Sequence, residues 1–127
     1  MSIMDNIDEL EQNAKYAATF GFRERATEMY AKAFRLALRA GLYDKRCADI
    51  MIQATWSLAD GGKYNDAFDG ARRLILIFMC KRDFKLASHV LDCLKMVATV
   101  HPTMSEDVGG LRRYVARTIN YQNAVEH

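Results

Sequence analysis

The stretch Gly61-Gly62-Lys63-Tyr64-Asn65-Asp66-Ala67-Phe68-Asp69-Gly70-Ala71-Arg72-Arg73-Leu74 carries both signals that decide the fold. A glycine break comes first and an aromatic follows it within two residues. Ala67, Phe68, Ala71 and Leu74 then recur at the spacing of one helix face, and Ile75 and Phe78 extend the series. Leu74 to Cys80 is an unbroken apolar run. Its composition would suit a strand, but it lies inside this helical stretch, so it predicts a central helix covered on most sides.

The same break recurs to either side. Gly21 precedes Phe22, Gly41 lies two residues before Tyr43, Lys81-Arg82-Asp83 precedes Phe84, and Pro102, the only proline, ends the next block. The aromatics at 22, 43, 64 and 84 are 21, 21 and 20 residues apart. A short fixed period is the mark of stacked helical units. Between breaks the period is helical. Ala26, Met29, Tyr30, Ala33, Phe34 and Ala37 form one face, with Arg23, Arg25, Glu28, Lys32, Arg35 and Arg39 filling most of the other side. Ala87, Val90, Leu91, Leu94, Val97 and Ala98 repeat the pattern further on.

These patterns predict an all-α chain of six helices, at 5–20, 22–40, 44–60, 63–80, 84–100 and 104–122. Connections this short force consecutive helices to run antiparallel, giving three hairpins in one domain over 1–127, with a tail near 121–127 expected to fray. Gly41 and Gly61 are placed to take the left-handed conformation that closes a helix. Asp44 and Asp83 are placed to cap the helices that follow. Thr103-Met104-Ser105-Glu106 has the pattern of a capping box for the last helix.

Composition narrows the function. The formal charge of +2 writes no general attraction to nucleic acid or anionic lipid into the total. Met1-Ser2-Ile3-Met4-Asp5 lacks a basic stretch, so no secretory leader is expected there. The longest apolar run is far short of the roughly 20 residues that span a bilayer, so no membrane partner is expected. Cys47, Cys80 and Cys93 have no paired spacing, which fits reduced thiols and a cytoplasmic location.

Two segments resemble a known family. Gly21 followed by Ala26, Tyr30 and Ala33, and Gly62-Lys63-Tyr64-Asn65-Asp66-Ala67 followed by Ala71 and Leu74, are similar to the second-helix half of a tetratricopeptide repeat. The resemblance covers roughly residues 6–80. It implies a right-handed superhelical stack of hairpins whose concave face, lined by the first helix of each pair, holds a peptide or helix of another protein. Such modules serve as adaptors, assembly factors or small chaperones. Carried over by register, the groove positions are Glu11 and Lys15 in the first helix and Asp49, Ile52 and Trp56 in the third. The paired lysines and asparagines of the family's carboxylate clamp are not reproduced.

Helical geometry bears on that groove independently. Cys47, Met51, Ala54 and Leu58 form one apolar face of the third helix, and Ile52 and Trp56 point roughly 150° away. Two apolar faces mean either a helix sandwiched between neighbours or an exposed patch with Trp56 as its anchor. His89 and Cys93 lie one turn apart, yet a structural zinc takes about four ligands and no second pair is evident, so no metal is expected. Asp60, Asp66 and Asp69 surround a turn and a helix start, where carboxylates favour the positive dipole end. No oriented catalytic set and no phosphate-binding glycine loop can be named, so neither an enzyme nor a cofactor is expected.

A rival signal lies in the basic groups Arg72-Arg73, Lys81-Arg82 with Lys85, and Arg112-Arg113 with Arg117, with Tyr114 and Tyr121 nearby. Gathered on one surface, they would make a nucleic-acid-binding subunit. Interspersed Asp66, Asp69, Asp92, Glu106 and Asp107 favour a solvated face instead. A third possibility is self-association through the open ends of the stack, where repeat proteins need polar caps to stay monomeric.

Overall fold

A computed structural model describes residues 2–126. The described residues form six α-helices and no strand: α1 (Ile3–Thr19), α2 (Arg23–Arg39), α3 (Lys45–Asp60), α4 (Tyr64–Cys80), α5 (Phe84–Val100) and α6 (Ser105–Glu126). Each helix packs on the next, α5 also touches α3, and α6 also touches α4. The architecture is thus a stack of antiparallel hairpins. Leu74–Cys80 is helix and lies within α4.

The period has a common physical cause in four of the turns. Gly21, Gly41, Gly62 and Arg82 each take a left-handed φ, of 83°, 71°, 79° and 61°. The following N–H, of Phe22, Leu42, Lys63 or Asp83, donates back to the carbonyl of Ala17, Ala37, Leu58 or Phe78 at 2.8–3.0 Å. This is the Schellman closure, which satisfies carbonyls that the helix end leaves orphaned. Gly61, expected to be left-handed, sits at φ −85°, and its neighbour Gly62 takes that role. Arg82 occupies the corresponding position in the next turn without the freedom of glycine.

The helix starts agree with expectation in two places and depart from it in two. Asp44 Oδ1 accepts from the Cys47 N–H and Asp83 Oδ1 from the Leu86 N–H, both at 3.2 Å. No capping box forms at Thr103, because the chain enters α6 through a 3-10 turn at Pro102–Met104. There the Met104 N–H bonds the His101 carbonyl at 3.0 Å. A capping box does form at the start of α1, between Ser2 and Asp5. The expected end of α6 at 122 needs correction too. The helix continues to Glu126, although Tyr121, Asn123, Ala124 and Val125 on it are exposed, and His127 lies outside the described residues.

Small residues set how closely the helices approach. Ala14, Ala26, Ala33, Ala67 and Ala71 are all buried, and Ala14, Ala17, Ala26, Tyr30 and Ala54 form one cluster joining α1, α2 and α3. Gly70 belongs to the same scheme. A Cβ there would come within 3.2 Å of Met51 Cε, so its absence lets the α3 side chain lie against α4. Bulk comes from Ile7, Ile50, Leu74, Ile75, Phe78 and Leu94, all fully buried. Each contributes about 1.5–3 kcal/mol relative to exposure. α4 supplies three of these six, as expected of a central helix.

Candidate functional site

The first helices of the three hairpins, α1, α3 and α5, are tied together by side chains. Arg46 on α3 reaches back to α1, where it pairs with Asp8 and, at 3.5 Å, with Glu11. Glu11 also holds Lys15 at 3.3 Å and is only 13% exposed. Of the two register positions on α1, Glu11 is therefore the centre of an ion-pair knot, and Lys15 is the more exposed partner. Burial, then the Glu11 carboxylate, pushes the Tyr30 phenol above its ordinary range.

On α3 the three register positions share one side. At 100° per residue Asp49, Ile52 and Trp56 fall within about 60° of one another, away from the buried Cys47, Met51 and Ala54. Asp49 is exposed, while Ile52 and Trp56 are half-buried. Trp56 lies between the two extremes expected of it: it packs against the core and is half-buried. His101 meets that ring edge-on, with centroids 6.4 Å apart, and lies 5.6 Å from the Tyr64 ring on its other side. Beside Trp56 a cleft of about 230 Å³ runs between α3 and the α1–α2 turn, lined by Gly21, Arg23, Tyr30, Gln53 and Asp60 among others.

The α5 side of this surface was not anticipated from sequence. His89, Cys93, Met96 and Val100 form a stripe at the spacing of one helix face. Met96 and Val100 are 64% and 61% exposed. Burial, then Asp92 and Asp49, raise the Cys93 thiol, and the edge-on meeting of Trp56 with His101, the residue after α5, brings the end of this helix to α3. The available signal was two apolar residues on α5 outside its main apolar face. Pattern alone does not separate them from scattered surface residues, because the six core positions Ala87, Val90, Leu91, Leu94, Val97 and Ala98 already account for the helix.

The basic pairs occupy separate places. Arg72 and Arg73 both turn to Asp69, at 3.2 and 3.0 Å. Arg112 and Arg113 flank a cleft between α5 and α6 that also contains Asp92. Among the described residues, no ion pair or hydrogen bond joins the two pairs. No group of three or more metal-binding side chains comes together among the described residues either. Cys47 is buried, and burial with the Asp44 carboxylate pushes its thiol up to about 12, leaving it a poor nucleophile. None of the described helices is long and apolar enough to cross a membrane.

No family model, curated protein or solved structure matches this chain.

Proposed function

We propose that the chain is a non-catalytic protein-interaction module of tetratricopeptide-like build, an adaptor, assembly factor or small chaperone. It takes a peptide or helix of its partner across the α1–α3–α5 face. One observation carries the reading: Trp56, half-buried on α3, meets His101 edge-on just past the end of α5, where Met96 and Val100 stand exposed on one face of that helix. Exposed apolar side chains with an aromatic anchor have the composition of an interface. The three free thiols fit a reducing compartment and support placing the protein in the cytoplasm.

The test is retention of partners from native cells by the wild-type chain, Trp56→Ala and Met96→Asp, with nuclease treatment in parallel. Loss of one defined protein in both variants, with helical content unchanged, supports the interaction module. Nuclease-sensitive retention that depends on Arg72, Arg73, Arg112 and Arg113 would instead support the nucleic-acid-binding alternative.

A further inference from the structure

A second surface lies on the first hairpin, on the side away from α3. The α1 and α2 residues that face α3 are identified by their bonds to it: Asp8 and Glu11 through Arg46, Arg23 through the Asp60 carbonyl, and Thr27 through Ser57. Lys32 lies about 140° around α2 from Thr27, and Glu9 about 160° around α1 from Glu11. Between these opposite sides runs a cleft of about 490 Å³. Leu10 and Leu36 make its apolar floor, and Lys32, Arg35 and Arg39 stand along its α2 wall, with Glu9 the lone acid on the α1 wall. Among the described residues the three cations take part in no ion pair.

We propose that this cleft docks an acidic amphipathic helix of a partner protein, at a site separate from the α1–α3–α5 face. The floor calls for apolar side chains one turn apart, and the α2 wall calls for carboxylates beside them. A phosphate backbone would satisfy the cations but leave Leu10 and Leu36 uncovered. A second copy of this chain is a poor occupant for an electrostatic reason. The cleft between α5 and α6 carries Arg112 and Arg113, so stacking one on the other sets cations against cations. Pairing the first-hairpin cleft with itself has the same fault.

The experiment is anisotropy of a labelled fifteen-residue helical peptide bearing leucines along one stripe and glutamates on both flanks. Saturable binding that weakens with salt is expected, together with a loss of about tenfold or more in Lys32→Glu/Arg35→Glu. Trp56→Ala should bind the peptide like the wild type, which separates this site from the other face. Lys32 and Arg35 are exposed, and circular dichroism checks that the helices remain in each variant. The proposal is overturned if a lysine version of the peptide binds equally, or if a version with serines for the leucines does. It is also overturned if the charge-reversed variant keeps its affinity, or if a short RNA duplex displaces the peptide at lower concentration than unlabelled peptide.

Discussion

His101 Nε2 lies 2.8 Å from Asp60 Oδ1, which ties the residue after α5 to the last residue of α3. The Asp60 carbonyl is held in turn by Arg23 Nη1 at 2.9 Å, so three hairpins meet at one residue. Asp60 is thus a joint of the stack as well as a wall of the cleft beside Trp56. Asp60→Ala should cost about 0.5–1.5 kcal/mol, as for one intramolecular hydrogen bond, because the carbonyl contact to Arg23 survives the change. Urea unfolding of the variant checks this, and a double-mutant cycle with His101→Ala should show coupling between the two side chains.

Gly61 and Gly62 are neighbours with opposite requirements. Gly62→Ala should lower stability by about 1–2 kcal/mol, since its φ of 79° penalises any Cβ even though the space around it is open. Gly61→Ala should be neutral or raise stability by about 0.4–1 kcal/mol through a less flexible unfolded chain. The nearest atoms to its Cβ would be carbonyl oxygens at 3.5 and 3.6 Å and the Arg23 side chain at 3.9 Å. The shift in urea midpoint for the two variants decides it.

Ala67 is fully buried where α4 meets its neighbours. Ala67→Leu should overpack that contact and cost about 1–3 kcal/mol. A thermal melt like the parent's would show that the small residues do not set the helix spacing.

Cys47 gives a prediction in pH. Its thiol is raised in the folded state from an ordinary 9.0 to about 12, so the folded chain keeps a proton that the unfolded chain releases. The resulting stability is complete below pH 9 and is lost as pH rises from 9 towards 12. Cys47→Ala should therefore lose stability less steeply across that window than the wild type. At pH 8 a thiol reagent should modify exposed Cys80 while leaving Cys47 intact.

Much of the fold was legible because its punctuation is chemical. Gly21, Gly41 and the Gly61-Gly62 pair mark turns that need a left-handed residue, and alanines mark the close approaches. Arg82 shows the limit, since the Schellman bonds there hold a non-glycine residue at φ 61° that its side chain does not announce. Thr103 was misread because a capping pattern is local, whereas Pro102 imposes the 3-10 entry that displaces it. The surface was less legible. Register placed Asp49, Ile52 and Trp56 on one side of α3, but it did not reveal that Arg46 engages Glu11, or that Met96 and Val100 stand exposed on α5. Lys32, Arg35 and Arg39 read from sequence only as the polar side of α2, because the approach of α1 is what makes them the wall of a cleft.

Trp56 is the only tryptophan in the chain, so its emission reports directly on the face proposed to hold a partner. The most direct measurement is that emission during titration with the protein segment retained from native cells. A saturable change in Trp56 emission, together with loss of binding in Met96→Asp, is the expected result. Tight binding that leaves the emission unchanged and persists in both Met96→Asp and Trp56→Ala would contradict the α1–α3–α5 face as the site of recognition.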